Sequence, residues 1–499
     1  KTASGVFSST NLHYVLKNLG VESLFVVGVY TNECVETTVR DACDLGYLVT
    51  VVEDCCATVT PELHNASLAT LRDRYARILS LEEAIHSVQS TVEAWASCYE
   101  NITLRLSGGF DSSVVAGCLA QAPSKPRINC LNAWIDIELD RNRLYLPGVD
   151  PSIADKFRAI AGHGDERYFA RLVAERWGMP LVECKKTLAM DLSRHWDTPL
   201  RLSPGLYYTA MQTDDAAVEL AKTHGTQAFF SGLGGDSVFL ATQQPFAAMD
   251  YAYVKGIRSG FWEQMAATSR LTKESLWSVL GKAIRYGILR RPYPSWFSFL
   301  GQPSLVNGEL VRTLTEEDFA SDLARRIAQS SLPPGKSNHV RGLDCSPDFD
   351  FVFESGRYAN HVDPLNSQPV WELMLQIPTW TVLTRGVSRG LARRAFADLV
   401  PEQIRKRVIK GTGGPYYEQV VRNQRVFLRT TLLDGLLVQQ GYLDRRRVEE
   451  CLSAEEPAML VPAVTLLNYL ATEVWLQQWT EHGQRRLTPR AANLQEASL

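Results

Sequence analysis

Two glycines and a carboxylate lie together in segment 106–113 (LSGGFDSS), between a predicted strand and a predicted helix. Glycine lets the backbone approach an anion closely, and the first amides of a helix point towards that anion. Ser107 and Ser112 can donate hydroxyl hydrogen bonds to phosphate oxygens. The Asp111 carboxylate would repel phosphate unless a cation lay between them, so we interpret it as a Mg²⁺ ligand. An ordinary glycine-rich turn with a helix cap is the alternative. The residues assigned to phosphate binding are Ser107, Gly108, Gly109, Asp111 and Ser112.

This loop resembles the PP-loop, S-G-G-x-D-S, of ATP pyrophosphatases. It is not a Walker A sequence, because no G-K-S/T follows. The resemblance implies ATP and Mg²⁺ as cofactors, and cleavage between the α- and β-phosphates to give an adenylate and pyrophosphate. NAD and GMP synthetases and tRNA thiolases share the loop. A tRNA-modifying enzyme would need a basic face and a reactive cysteine near the loop, whereas Cys118 lies in the middle of a predicted helix.

A second glycine-rich turn follows a predicted strand in segment 230–239 (FSGLGGDSVF). It resembles the S-G-x-G-x-D-E-x-F segment of asparagine synthetases, whose Asp is the second Mg²⁺ ligand, here Asp236. Leu233 stands where asparagine synthetases carry Glu and β-lactam synthetase carries Tyr, and Ser237 replaces the usual second acid. The glycines assigned to nucleotide binding are Gly232, Gly234 and Gly235.

A basic stretch occupies residues 385–414, where a predicted helix at 389–396 is followed by Arg407-x-x-Lys410-Gly. A solvated basic helix is the ordinary explanation of such a charge run. With the two glycine loops upstream, the stretch resembles the part of asparagine synthetases that ends in a catalytic lysine. Lys410 is therefore the candidate catalytic residue, able to neutralise charge on the α-phosphate and on the departing pyrophosphate. The resemblance covers roughly residues 82–480.

A cysteine follows a buried strand at a helix start in segment 28–38 (GVYTNECVETT). Backbone amides at a helix start can form an oxyanion hole beside such a cysteine. The segment resembles the nucleophile turn of isochorismatase-like cysteine hydrolases, with Cys34 as nucleophile, Lys1 as that family's catalytic lysine, and 54–64 as a later motif. A buried structural cysteine is the alternative. Only the family's second half is matched, without its catalytic Asp, so we expect no hydrolase activity.

Length and composition limit the classes of function. A chain of 499 residues suggests two or three domains, and 45% hydrophobic with 21% charged residues is ordinary for a globular protein. The net charge of −3 gives no reason to expect nucleic acid or a membrane as partner. Ten scattered cysteines indicate reduced thiols and a cytoplasmic location. No apolar run is long enough to span a bilayer.

The elements that must position these residues alternate between strands and helices. The predicted strands are 21–29, 47–53, 102–106, 127–134 and 226–231. The predicted helices are 34–45, 61–76, 81–100, 112–121 and 165–177, with mostly helical sequence from residue 246 onward. Such alternation predicts parallel sheets. The expected fold class is α/β: a truncated isochorismatase-like parallel sheet layer (1–80), a linker helix (81–100), a PP-loop, adenine nucleotide α-hydrolase-like domain with a helical C-terminal region (101–483), and a flexible tail (484–499).

The predicted function is an ATP-dependent, AMP-forming amide-bond synthetase of the asparagine synthase type. Its partners would be a small-molecule carboxylate or a precursor peptide, and ammonia or an amine. Segments 162–167 and 364–369 resemble lasso-peptide macrolactam synthetases, so a macrolactam cyclase is an alternative. A non-catalytic nucleotide-binding protein is a second alternative, and a homodimer is left open. Since no glutaminase domain is recognised, we expect no use of glutamine.

Overall fold

The structure is a computed structural model. It describes residues 4–80, 87–135, 165–198, 200, 204, 207–258, 260–294, 304–313, 321–343, 354–407, 413–454 and 460–496, but not the side chains at 207, 209 and beyond 482. Among the helices of these residues, none is long and apolar enough to cross a membrane.

The N-terminal unit is a three-stranded parallel sheet with strand order β1-β2-β3. Its strands are β1 (Ser23–Val29), β2 (Leu48–Ala57) and β3 (Arg77–Leu79). Its helices are α1 (Leu12–Asn18), a π-helical turn (Thr31–Val35), α2 (Glu36–Asp44) and α3 (Pro61–Arg74). Helix α3 begins with Pro61 after Thr60, whose side chain accepts a hydrogen bond from the Leu63 amide, as expected of a helix cap.

The two faces of this sheet pack against different partners, because successive residues of a strand point to opposite faces. Val51 belongs to a core formed with residues of α2 and α3. Its neighbour Val52 belongs, with Leu79, to the core that contains Val88 and Val114 of the following unit. The N-terminal unit therefore shares a hydrophobic core with the unit that carries the phosphate loop.

The second unit is built on a five-stranded parallel sheet of order β6-β5-β4-β7-β8. Its strands are β4 (Asn101–Arg105), β5 (Arg127–Ile135), β6 (Leu181–Lys186), β7 (Ala228–Phe230) and β8 (Asn360–Val362). Helices cover both faces, with α5 (Phe110–Gln121) in the larger core and α7 (Tyr207–His224) in a smaller one against Leu131 and Phe229. Strand β4 lies at the centre of the sheet, so the loops that follow β4 and β7 are neighbours.

The remaining chain is mostly helical. Helices α4 to α11 are α4 (Ser87–Ala96), α5 (Phe110–Gln121), α6 (Arg167–Trp177), α7 (Tyr207–His224), α8 (Gly235–Val238), α9 (Phe246–Lys255), α10 (Phe261–Thr272) and α11 (Leu276–Lys282). Helices α12 to α17 are α12 (Gly308–Thr313), α13 (Asp322–Gln329), α14 (Pro334–Arg341), α15 (Gln368–Gln376), α16 (Thr379–Val382) and α17 (Gly390–Ala395). Helices α18 to α23 are α18 (Glu402–Arg405), α19 (Gly414–Asn423), α20 (Arg425–Leu433), α21 (Leu436–Gln439), α22 (Arg445–Ser453) and α23 (Ala463–Glu496). Short 3₁₀ or π turns are Leu192–Asp197, Ala283–Ile288, Glu354–Arg357, Pro364–Asn366 and Thr384–Gly386.

The α/β fold class with parallel sheets is confirmed, while three strands differ from expectation. Strands β3, β6 and β8 were not predicted, since two have three residues and β6 (LVECKK) is largely polar. Helix α23 runs to Glu496, and the flexible tail expected at 484–499 remains a prediction.

Candidate active site

The phosphate loop connects β4 to α5, and its backbone turns at Gly108, where φ is 77°. A β-carbon at Gly108 would lie 2.8 Å from the carbonyl oxygen of Glu166 and 3.0 Å from the amide nitrogen of Ala170. These are backbone atoms at the start of α6, so only glycine fits at this position. The loop is therefore held against the first turn of α6.

Hydroxyl groups order the loop from within. Ser107 Oγ accepts a hydrogen bond from the Gly109 amide at 3.2 Å and lies 3.1 Å from Ser112 Oγ. Ser112 Oγ and Ser113 Oγ both donate to the Gly109 carbonyl oxygen, at 3.2 and 2.7 Å. Helix α5 begins at Phe110, and the amides of a first helical turn have no acceptor inside the helix. The loop thus has the preformed shape and the backbone donors of an anion site.

The second glycine turn follows β7, the strand next to β4. A β-carbon at Gly232 would lie 2.4 Å from the Ser112 nitrogen, and one at Gly235 would lie 2.6 Å from Asp111 Cβ. Gly234 has a φ of 84°, which favours glycine. The two loops are in direct contact at the carboxyl edge of the sheet, where open α/β sheets bind their ligands.

The two predicted metal ligands, Asp111 and Asp236, both contact one guanidinium group. Arg389 Nη1 lies 2.6 Å from Asp111 Oδ2 and 2.7 Å from Asp236 Oδ1. The two carboxylate oxygens are no further apart than the sum of these distances, well within the ~10 Å that one or two bridging Mg²⁺ ions can span. The Asp111 side chain is 10% exposed and that of Asp236 is 62% exposed, so the pair opens to solvent on the Asp236 side.

This donor set suits Mg²⁺ bound to nucleotide phosphates. Mg²⁺ is usually held by one or two carboxylates together with substrate phosphates and water. Within the described part of the chain, no group of three or more His, Cys, Asp and Glu side chains could hold a metal. A cation at Asp111 and Asp236 would therefore need phosphate oxygens or water to complete its coordination, and a cationic nitrogen already fits between the two carboxylates.

Two arginines of the predicted basic helix lie over Phe110. The guanidinium carbons of Arg389 and Arg393 are 5.6 and 5.1 Å from its ring centre. Arg393 donates hydrogen bonds to the carbonyl oxygens of Ser388 and Arg405, and its burial, with Arg389 nearby, lowers the pKa of Arg393 to about 10. Sequence reasoning identified this basic segment but missed Arg389, because its clustered arginines do not show which one meets a carboxylate.

In the basic stretch at 385–414, the structure describes every residue except 408–412, and Arg407 lies beside the phosphate loop. Arg407 Nη2 lies 2.6 Å from Glu166 Oε1, and both side chains are largely buried. The guanidinium also lies 4.1 Å from the ring centre of Phe169. The Glu166 carbonyl oxygen is the atom closest to a β-carbon at Gly108. Because Glu166 also pairs with Arg407, the ion pair holds the basic stretch near the phosphate loop. Lys410 lies outside the described residues, and its catalytic role remains a prediction.

A polar cluster around the buried side chains of Asp214 and Ser355, which sequence reasoning did not find, fixes the end of β4 from the α7 side. Arg105 Nη2 lies 3.4 Å from Asp214 Oδ1. Ser355 Oγ donates to Asp214 and lies 3.0 Å from His361 Nε2. Burial raises the pKa of Asp214, while burial and the Arg105 charge lower the pKa of His361 to about 4. The cluster joins β4, α7 and β8 beneath the site.

In the N-terminal unit, Cys34 lies in the π-helical turn between β1 and α2, with a partly buried side chain. The turn is tied to α3 through Thr31. The Thr31 hydroxyl lies 2.8 Å from His64 Nδ1, and its carbonyl oxygen accepts a 3.1 Å hydrogen bond from Ser67. Lys1 lies outside the described residues, so the nucleophile and lysine assignments remain predictions. The nine cysteines that the structure describes are all free thiols.

Comparison with protein families matches both parts of the chain. The asparagine synthase family model matches residues 86–296 and 363–477, which include both glycine loops and the basic stretch. The isochorismatase domain model matches residues 1–83.

Curated relatives named as isochorismatase family proteins, nicotinamidases or amidohydrolases match a short part of this chain. An uncharacterized isochorismatase family protein of Escherichia coli O157:H7 is 34% identical over 84 residues, 17% of this chain and 45% of that protein. A probable inactive nicotinamidase of Arabidopsis thaliana is 40% identical over 84 residues, 17% of this chain and 43% of that protein. A ureidoacrylate amidohydrolase of Acinetobacter baylyi is 31% identical over 84 residues, 17% of this chain and 34% of that protein. The chain thus spans less than half the length of each of these relatives.

Proposed function

Because this chain belongs to the asparagine synthase family, we propose that it is an ATP-dependent, AMP-forming amide-bond synthetase. A substrate carboxylate attacks the α-phosphorus of ATP, giving an acyl adenylate and pyrophosphate. Ammonia or an amine then attacks the acyl carbon, and AMP leaves with its bonding electron pair. The observation that carries this proposal is the meeting of Asp111 and Asp236 at the contact between the two glycine loops.

In this proposal, each group of site residues has a separate role. The amides at the start of α5 and the hydroxyls of Ser107 and Ser112 bind and orient phosphate oxygens. Asp111 and Asp236 would hold Mg²⁺, which supplies positive charge to the phosphates when it is bound. Lys410 neutralises charge that develops on the departing pyrophosphate.

Macrolactam formation on a peptide is a second candidate, supported by the position of segment 364–369. A β-carbon at Gly234 would lie 2.9 Å from Asn366 Cβ, so this segment packs directly on the second glycine turn. Asn366 Oδ1 accepts a 2.8 Å hydrogen bond from Trp371 Nε1, which holds the segment in place. Leu233, where asparagine synthetases carry Glu, gives this turn an apolar side chain. A peptide whose carboxylate has apolar neighbours would suit an apolar side chain at this turn better than free aspartate would.

The N-terminal unit has a structural role in this proposal. Val52 and Leu79 contribute to the core of the synthetase unit, so the sheet stabilises that unit independently of any chemistry at Cys34. The free thiols fit a reducing compartment, and we include a cytoplasmic location in the proposal.

The test is product analysis with Mg²⁺-ATP and a series of carboxylates, from aspartate to peptides with acidic side chains. We expect AMP and pyrophosphate in equal amounts, dependent on the carboxylate. Asp111→Asn should abolish this turnover and leave the fold intact, because the carboxamide cannot supply the anionic ligand. Asp322→Asn is the matched control, since the Asp322 side chain is 86% exposed on α13.

The outcomes separate the candidate functions. ADP and phosphate as products would contradict the proposal. Nucleotide binding without turnover on any carboxylate would favour the non-catalytic alternative. Cyclised peptide, identified by mass loss of one water, would select the macrolactam reaction. Amide product supported by ammonium and not by glutamine would agree with the expected nitrogen source, whereas glutamate formed in step with the amide would overturn it.

A further inference from the structure

The Arg389 guanidinium lies between the two carboxylates that would hold a divalent cation. One nitrogen of this group, Nη1, lies within hydrogen-bond distance of both Asp111 and Asp236. Without this charge, two carboxylates held this close would repel each other. The Arg389 guanidinium therefore places positive charge between the two carboxylates.

The backbone of this arginine is anchored, while its side chain retains an unmet donor. Arg389 has a φ of 59°, and its carbonyl oxygen accepts a 2.9 Å hydrogen bond from the Arg393 amide. The neighbouring Ser388 Oγ accepts a 3.1 Å hydrogen bond from the Thr242 amide. Buried Nε of Arg389 has no acceptor among the described residues. The present position thus leaves one donor of the guanidinium unsatisfied, a cost that a phosphate oxygen would remove.

We propose that Arg389 is a positioning residue that competes with the divalent cation for Asp111 and Asp236, an inference that rests on the proposed function. In the absence of nucleotide it holds the carboxylates and disfavours binding of the free cation. Nucleotide phosphates offer the guanidinium a bidentate partner and draw it off the carboxylates. Cation and nucleotide therefore bind cooperatively, and by linkage each raises the affinity for the other by the same factor.

The experiment measures Mn²⁺ binding by calorimetry and by the paramagnetic resonance signal of the free ion, with no carboxylate substrate present. Wild-type protein should bind Mn²⁺ weakly alone and at least about tenfold more tightly with a non-hydrolysable ATP analogue, as expected for removal of a like charge at contact distance. Arg389→Gln keeps most of the side-chain size and removes the charge. Without nucleotide it should bind Mn²⁺ at least about tenfold more tightly than wild type does, so that nucleotide raises its Mn²⁺ affinity by a smaller factor than in wild type.

Arg385→Ala is the matched control, because Arg385 has a nearly identical φ of 58°, is exposed and makes no bond to either carboxylate. It should behave as wild type.

If Arg389 only supported the fold, Arg389→Gln would lower the melting temperature and leave Mn²⁺ affinity unchanged or weaker. That result, or tight Mn²⁺ binding by nucleotide-free wild-type protein, would overturn the proposal. If Arg389→Gln does not fold, Arg389→Met, which also removes the charge, takes its place in the same measurement, and an unchanged Mn²⁺ affinity in that variant would overturn the proposal. Failure of the amide-synthetase proposal would instead show as absent AMP and pyrophosphate, with these cation affinities unaffected.

Discussion

Alanine at position 232 tests the contact between the two glycine loops. Its β-carbon would lie 2.4 Å from the Ser112 nitrogen and 2.8 Å from the Asp111 carbonyl carbon. Both are backbone atoms in the first turn of α5, so no side-chain rotation can relieve the clash. To reach ordinary contact at 3.4 Å, the turn after β7 must move by about 1 Å.

The size of the effect follows from that displacement. Overpacking of this kind destabilises a protein by about 1–3 kcal/mol. A shift of about 1 Å between groups that act on one substrate can reduce activity by about 100-fold. We therefore expect Gly232→Ala to remain folded, with a lower free energy of unfolding, and to lose most of its affinity for Mg²⁺-ATP.

The assay combines urea unfolding with titration of an ATP analogue in the presence of Mg²⁺. Gly281→Ala is the matched control, since a β-carbon at Gly281 on α11 would meet nothing within 4 Å. That variant should bind nucleotide as wild type does and gain about 0.5–1 kcal/mol from the better helix propensity of alanine. If Gly232→Ala matched wild type in both measurements, the loops would not be in the contact described, and the site derived from that contact would be refuted.

Three further outcomes are expected. Lys410→Ala should leave ATP affinity nearly unchanged and slow adenylate formation by about two orders of magnitude, measured by pyrophosphate release; an unchanged rate would remove Lys410 from the mechanism. Glu473→Ala should lower the free energy of unfolding by about 2–4 kcal/mol in urea titrations, because this fully buried carboxylate accepts two backbone amides at the start of α21; a loss below that of an exposed substitution would contradict this. Burial lowers the pKa of His339 to about 4, so the stability that its neutral form provides is present above about pH 6.5 and lost as the pH falls towards 4. Burial raises the pKa of Asp250 to about 6, which opposes this loss, so the net decrease from pH 7 to 5 should be below about 1 kcal/mol in wild type and should turn into a small increase in His339→Gln, measured by urea unfolding at each pH.

The sequence by itself determined the features that depend on neighbouring residues. Serine and glycine spacing around Asp111 and Asp236 predicted two loops at strand ends, and both follow strands within one or two residues of the expected bounds. Alternation of apolar strands and amphipathic helices predicted parallel sheets, which the structure has. These inferences succeed because glycine conformation, helix starts and strand periodicity are local properties of the chain.

Only the tertiary structure decided which of these features meet. Strands β4 and β7 are far apart in the sequence, and their adjacency in the sheet brings Asp111 to Asp236. The bond from Arg389 to Asp111 joins residues 278 positions apart, and that from Arg407 to Glu166 joins residues 241 positions apart. Many arginines have the same local sequence preferences, so nothing local distinguishes one that pairs across the site. The choice among them is made by the packing of α17 and α6 around the sheet, a long-range property that no short segment contains.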